Sequence, residues 1–541
     1  MSTSPPRKRL SLFRRLLYVV LVLVGAACLW YLWPVALVPP KFTLSKETTF
    51  FTQPLDEEGY VNYQQAFNEK LSQGVTPENN AMVLLVKAIG PHPEGSASLA
   101  DEFYQRLGIP RLPEEGNYLV TINDYSRKQQ WSDVASPEVV DDWMKDATQR
   151  PWTKEEFPRL AEWLERNQEP LRLIREAAQR QRYYAPLVFS PNLPATQKTL
   201  LAVLLPYTQK TRESAQMLIV RSMHAMARKE YQAAWEDFHA VLRLASMIAQ
   251  GPTMIETMVA NAMYVHVMER LPALLEATDV PLALIQQVQQ DLQALPAMPS
   301  LADKLSNSER CMALDVFLMI NRYGATFLDS LSGNGEFQPS SKRAINRLRQ
   351  ANWDAPLKRV NSWFDRLANY ARAKSRREQN TLGMTMQVEM IQMRQRLRET
   401  RESWGSFFRS SDEEVDLLAD TVIATLTPAL QKVQLSADKA EQYRRLGLIA
   451  VRLALHQRTR GSYPKSLTEL APPLDATVLT DVFSDLPVLY RLTDKGYLLY
   501  SVGRDQGDDH AVGIEYDPTN DDLVFEIPRP QPQAQPQKVR E

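Results

Sequence analysis

The sequence predicts a mainly α-helical protein in three parts. These are a single N-terminal transmembrane helix, a multi-helix body of helical hairpins, and a small C-terminal α+β module with an antiparallel sheet. Three observations carry this reading. Glycine is scarce, 19 in 541 residues, which disfavours an all-β chain built on tight turns. Apolar residues recur at helical spacing across most of residues 60–434, between short Gly/Pro breaks. Only beyond residue 480 does the pattern change to short apolar runs joined by hairpin turn residues. With 44% hydrophobic and 23% charged residues the chain is globular rather than disordered. Sixty-three Lys/Arg against 64 Asp/Glu give a net charge of −1, so no global field points to nucleic acid as a partner. Two cysteines, Cys28 and Cys311, cannot build a disulfide framework.

The N-terminus carries the placement. Leu16 to Val38 contains no charged residue. As a helix these residues would be about 34 Å long, enough for a bilayer core of about 30 Å. Arg7, Lys8, Arg9, Arg14 and Arg15 precede it without an acidic residue. The positive-inside rule then makes residues 1–15 a cytoplasmic tail and puts the bulk of the chain outside the cytoplasm. Residues 16–38 are thus expected to take the lipid bilayer as partner, as a single-pass signal anchor. Trp30, Tyr31 and Trp33 sit near its outer end, and Pro34, Pro39 and Pro40 terminate it. Gly25-Ala26-Ala27-Cys28 is similar to a lipoprotein processing site, which leaves lipidation at Cys28 and cleavage of a signal peptide as alternatives, although the apolar run continues to Val38.

Residues 39–136 read as a mixed helical and irregular segment. Helical spacing runs from Tyr60 to Leu71, Thr76-Pro77-Glu78-Asn79 opens another helix, and Tyr118 to Ile122 has the look of a short strand. Residues 137–435 form the helical domain, with long periodic stretches such as Gln197–Lys229, Tyr231–Gln250, Leu382–Arg401 and Asp412–Val433. Short loops between them make sequential helices antiparallel neighbours. In Arg221 to Ser246 the spacing of Tyr231, Ala234, Phe238 and Leu244 is similar to the second half of a tetratricopeptide unit, over about one unit. An ordinary helical hairpin accounts for the same spacing. Charge is uneven: Lys342 to Arg401 holds 15 Lys/Arg against 5 Asp/Glu, and Ala476 to Pro528 holds 3 against 11. Solvated helix faces explain this, as does a basic patch facing lipid headgroups or an acidic partner.

Residues 436–528 form the C-terminal module. An amphipathic helix over Ala437–Thr459 ends at Gly461-Ser-Tyr-Pro464, and Asp481 to Pro487 is a turn. Val488–Leu492 and Tyr497–Ser501 are strands joined by Thr493-Asp-Lys-Gly496. The Gly/Asp loop Gly503 to Asp509 follows, and Asp522-Leu-Val-Phe525 is the last strand. Residues 529–541, rich in Pro and Gln, read as a disordered tail.

This order of a helix, a Tyr-Pro corner, a turn, a hairpin, an acidic loop and a final strand resembles the C-terminal portion of the major pseudopilin of type II secretion. The resemblance covers roughly the last 90 residues of the chain. Val482 and Asp485 stand where the pseudopilin turn has Pro and Gly, and some four hundred residues separate the module from the N-terminal apolar run. The resemblance therefore does not imply a fibre subunit. The stretch Pro54-Leu-Asp-x-x-Gly-Tyr-Val-x-Tyr63 is also similar to the start of a set of membrane-anchored bacterial envelope proteins, which implies the bacterial inner (cytoplasmic) membrane as location. In pseudopilins the acidic loop can bind calcium. That resemblance makes Asp505, Asp508, Asp509 and Asp522 the candidate ligands here, and carboxylates with loop carbonyls suit an ion wanting six to eight oxygens.

Catalytic signatures are missing from the sequence. The six histidines never fall within five positions of one another, and no phosphate loop, dinucleotide fingerprint or nucleophile elbow occurs. The expected function is a membrane-tethered scaffold or interaction protein of the cell envelope, with envelope proteins as partners and no cofactor beyond calcium. The alternative is a membrane-anchored envelope hydrolase with its site in a helical cleft. A concave cleft with converging carboxylates or a His–acid pair would favour the second.

Overall fold

The computed structural model describes residues 20, 37–39, 41–93, 98–131, 136–203, 205–296, 298–324, 327, 342–402, 410–513 and 520–529. It is mostly helical with one small antiparallel sheet. Helices α1 (Tyr63–Leu71) and α2 (Ala81–Ile89) start at asparagines whose side chains accept from the first-turn N–H groups, Asn62 from Gln65 N and Asn80 from Met82 N. The short α3 (Asp101–Leu107) and α4 (Ile122–Lys128) follow. The strand expected over Tyr118–Ile122 does not form. Thr121 Oγ1 accepts from Asp124 N and turns Ile122 into the first residue of α4. Next come α5 (Pro137–Gln149), α6 (Pro158–Arg166) and α7 (Gln168–Ala177), with α7 packed on α2.

The long antiparallel hairpin of α8 (Pro206–Ala227) and α9 (Tyr231–Ile248) is the one heralded by Tyr231, Ala234, Phe238 and Leu244. Ala234, Phe238 and Leu244 are fully buried. Helices α10 (Met254–Met268), α11 (Leu271–Glu276) and α12 (Leu282–Ala294) extend this layer. A second layer holds α13 (Leu301–Lys304), a π-helical turn over Leu305–Glu309, α14 (Arg310–Tyr323), α15 (Lys342–Arg349), α16 (Asp354–Ala371) and α17 (Arg376–Glu402).

One helix joins the two layers. α18 runs from Ser411 to Arg460, fifty residues, opened by a Ser410–Glu413 capping box and closed by Gly461 at φ 83. Its first half (Val415, Ala419, Val422, Ile423) belongs to the core built on α14 and α16. Its second half (Leu446, Ile449, Ala450, Leu453) belongs to the core of α2 and α7–α10. The helix expected over Ala437–Thr459 is therefore the end of a longer rod that starts in the helical body. The sheet rests on that end. Strands β1 (Leu489–Leu492), β2 (Tyr497–Ser501) and β3 (Leu523–Ile527) pair antiparallel in the order β1-β2-β3. Tyr497, Leu499, Phe525 and Ile527 share the core with Leu446 and Leu453, and Tyr443 meets Phe525 at 5.9 Å between ring centroids. A sheet of three short strands needs its apolar face covered, and the helix face supplies that cover.

The transmembrane helix is a correction. Among the described residues no helix is long and apolar enough to cross a membrane. Of the expected span 16–38, only Val20, Leu37 and Val38 are described. Leu37 and Val38 belong to no helix, and Val38 is tied by its backbone N–H to Asn346 Oδ1 at 2.9 Å and by its carbonyl to Arg349. The long helices are amphipathic: the longest uncharged run of α18, Thr421 to Gln431, is about half of what a span needs. The single-pass and signal-anchor reading accordingly falls. The expected tail 529–541 lies outside the described residues except for Arg529, whose guanidinium donates to Gln149 O at 3.0 Å and pairs with Glu276.

Candidate metal centre and recognition groove

The antiparallel pairing of Ser501 with Leu523 sets the acidic loop against the chain that enters β3. Gly503 makes the close approach possible. It sits at φ +67, and a Cβ there would overlap the carbonyl oxygen of Asp521 and lie 2.5 Å from its Oδ1. Arg504 N then donates to Asp521 Oδ2 at 2.9 Å, Asp521 N to Asp509 Oδ2 at 3.2 Å, and Gly507 N to Asp505 Oδ1 at 2.7 Å. Carboxylate oxygens of Asp505, Asp509 and Asp521 come within 4.8 Å of one another. Calcium–oxygen bonds of about 2.4 Å allow two ligands on one ion to lie up to about 4.8 Å apart, so the three can share a calcium.

Two further observations concern the same place. Oδ1 of Asp521 and Oδ1 of Asp522 are buried without a hydrogen-bond partner. Burial, followed by the neighbouring Asp505 carboxylate among the effects that raise it, pushes the Asp521 carboxyl up. Burial, with Asp509 and Asp508 nearby, raises that of Asp522 to about 6. A bound cation would reverse this crowding. Of the four carboxylates picked from sequence, Asp505 and Asp509 meet, joined by Asp521. Asp508 turns aside to accept from Tyr500 Oη at 3.2 Å and His510 N at 2.9 Å. Asp522 is 3% exposed and lies behind the cluster, its Oδ2 accepting from Ala511 N at 2.9 Å.

A second site went unmarked in the sequence. The C-terminal end of α7, the outward face of α9 and α12 enclose a groove of about 470 Å³. Ion pairs brace its floor. Arg221 holds Asp237 through two bonds of 2.7 and 2.6 Å, Arg175 pairs with Glu236, and Arg243 Nε donates to Ala178 O at 2.6 Å. Trp235 Nε1 donates to Asp291 Oδ2 at 2.7 Å, linking α9 to α12. His239 stacks on Trp235, ring centroids 5.8 Å apart, and burial holds its pKa below the usual imidazole value, so the ring is neutral at pH 7. Into this groove project four neutral polar side chains, Gln179, Gln232, His239 and Gln287. Gln232 Nε2 donates to Glu236 Oε1 at 3.4 Å, whereas the side chains of Gln179, His239 and Gln287 have no hydrogen-bond partner among the described residues.

The layers meet at a buried ionic cluster. Glu256 closes the capping box of α10, its Oε2 accepting from Thr253 N and Oγ1 at 2.9 Å each. Glu309, the last residue of the π turn, accepts from Met254 N at 2.8 Å, and Lys304 donates to Gly251 O. Burial raises the pKa of Glu256 and lowers that of Lys304, and it raises Glu309 to about 7. These groups fasten one layer to the other.

The basic stretch 342–401 is largely neutralised within the fold. Arg349 reaches Glu58, Arg359 reaches Asp416 and Asp420, Arg366 reaches Glu389, and Arg376 reaches Asp438. The chain matches no protein-family model, no curated protein and no solved structure.

Proposed function

We propose that this protein is an interaction scaffold of the bacterial envelope whose groove between α7, α9 and α12 takes an extended segment of a partner protein. The observation that carries the reading is the set of uncommitted neutral groups in that groove. Each glutamine amide offers both donors and an acceptor, and a neutral imidazole offers one of each, which matches the alternating N–H and C=O of an extended backbone. Ion pairs below them hold α7, α8 and α9 in register, so the groove is formed before a ligand arrives. The hydrolase alternative is less favoured: no carboxylate among the described residues hydrogen-bonds to His239, which is held by stacking on Trp235, and the His–acid pair of His92 Nε2 with Glu114 Oε2 at 2.5 Å lies exposed and outside the groove.

The C-terminal module has a separate role in this reading: a calcium ion held by Asp505, Asp509 and Asp521 would lock the loop that follows β2 onto the edge of β3. Support comes from the spacing of the three carboxylates and the orphaned Oδ1 of Asp521.

The groove is tested with a photo-crosslinking amino acid placed singly at Gln179, at Gln287 and, as a control on the exposed face of α6, at Glu162. A discrete protein adduct at 179 and 287 but not at 162, lost when the other glutamine is changed to alanine, is the expected result. Equal labelling at all three positions, or none at any, would remove the groove from consideration.

A further inference from the structure

Helix α17 has two apolar faces, and only one is used. Met386, Met390 and Met393 turn inward to the core shared with α16 and α18. On the opposite side Met384, Val388 and Ile391 follow one another at spacings of four and three and are 67%, 56% and 58% exposed. Between Glu378 and Arg394 the only charged residue is Glu389, which two bonds of 2.5 and 2.8 Å tie to Arg366. The outward face there includes Asn380, Thr381, Met384, Thr385, Val388, Ile391 and Gln392. An uncharged strip this long on a surface helix is out of keeping with a chain that is 23% charged.

The charges at the ends of the strip select its occupant. Arg377 lies eleven residues before Val388 and Glu399 eleven residues after it, about three helical turns each way, so all three share the outward face. Arg377 has no ion-pair partner among the described residues, and Glu399 accepts only from Gln395 Nε2. A second copy packed antiparallel about a two-fold axis at Val388 puts each Arg377 beside the other copy's Glu399. It also buries both apolar strips together. A parallel arrangement would set Arg377 against Arg377 and Glu399 against Glu399.

We propose that the α17 strip is a self-association surface, on which two copies of this chain pack antiparallel through Met384, Val388 and Ile391 with Arg377–Glu399 pairs at both ends. The contact is isologous, as two-fold symmetry requires. One helix pair of about 33 Å buries less than a standard interface, so the dimer forms in a concentration-dependent way. This inference does not rest on the groove or the acidic loop.

The test uses the full chain. Sedimentation velocity over a range of concentrations should show a monomer–dimer equilibrium that Val388→Glu shifts to monomer and Arg377→Glu weakens. The double change Arg377→Glu with Glu399→Arg should restore it. Under mild oxidation Val388→Cys should give a covalent dimer whose disulfide-linked peptides pair residue 388 with itself, whereas Arg377→Cys should not. A Val388→Glu protein that associates like the parent would overturn the proposal. So would an Arg377→Cys protein that crosslinks as readily as Val388→Cys, which a parallel pair requires. Near-unchanged circular dichroism of the variants, whose changes all lie on an exposed face, separates loss of association from loss of fold.

Discussion

Replacing Glu309 with glutamine should remove a pH dependence that the wild-type protein carries through neutrality. Glu309 is buried where the π turn meets the start of α10, and its carboxylate accepts from Met254 N at 2.8 Å. Burial raises its pKa from 4.5 to about 7, with Lys304 and the Met254 N–H pulling it down and Glu256 pushing it up. The folded state therefore holds a proton that the unfolded chain releases. Stability is highest below the unfolded pKa, falls as pH rises, and levels off above about 7. At about 1.4 kcal/mol per pKa unit, the full shift amounts to roughly 3 kcal/mol as an upper bound. Glutamine keeps an acceptor for Met254 N and has no charge to desolvate. Its advantage over glutamate should be close to zero at pH 4.5 and grow to that size by pH 8. The assay is a series of paired thermal melts, wild type and variant, in buffers from pH 4.5 to 8. A melting-temperature difference that opens with pH by about 3 °C is expected for a shift of this size in a chain of 541 residues. A difference that is constant across the series, or that favours the wild type at pH 8, would refute the raised pKa of Glu309.

Three further outcomes are expected. Calcium at one hundred times its dissociation constant should stabilise the folded module by about 2.7 kcal/mol, read as a rise in melting temperature of the full chain, and Asp521→Asn should abolish the rise while Asp508→Asn retains it; identical melts with calcium and with chelator would make the cluster plain surface charge. Gly503→Ala should weaken calcium binding at least about tenfold by forcing Asp521 away from a residue that must keep a positive φ, measured by isothermal titration. Trp235→Phe deletes the 2.7 Å bond to Asp291 and should cost about 1–3 kcal/mol in denaturant unfolding by leaving a partly buried carboxylate unpaired; a change below a few tenths would show that α9 and α12 are held by other contacts.

Parts of this molecule can be read before any coordinates are known, because their cause is local. Helical periodicity marks α1, α2 and the α8/α9 hairpin, and Gly461 ends α18 where its left-handed φ is needed. The hairpin residues Thr493 to Gly496 close β1 onto β2, with Thr493 N bonded to Gly496 O at 2.9 Å. Other features are local and were still misread. No glycine or proline separates Val433 from Ala437, so the break expected there had no physical cause and α18 passes straight through. Asp485 takes φ 60 although it is not glycine, and its carboxylate accepts from Arg376 N, a residue more than a hundred positions away, at 2.6 Å.

What the sequence determined by itself is therefore short-range: helix starts and stops, the hairpin, the acidic loop, and the scarcity of catalytic motifs. The tertiary structure alone decided what meets across distance. Asp521 joins Asp505 and Asp509 only because β3 pairs with β2, and Gln179, His239 and Gln287 converge from the turn after α7 and from two helices, across about a hundred residues of chain. It also decided the orientation of α17. Met386, Met390 and Met393 on one side and Met384, Val388 and Ile391 on the other are equally apolar, so periodicity cannot say which stripe is core. That choice is made by the area each face can bury against its neighbours, and here α16 and α18 cover one side and leave the other to solvent.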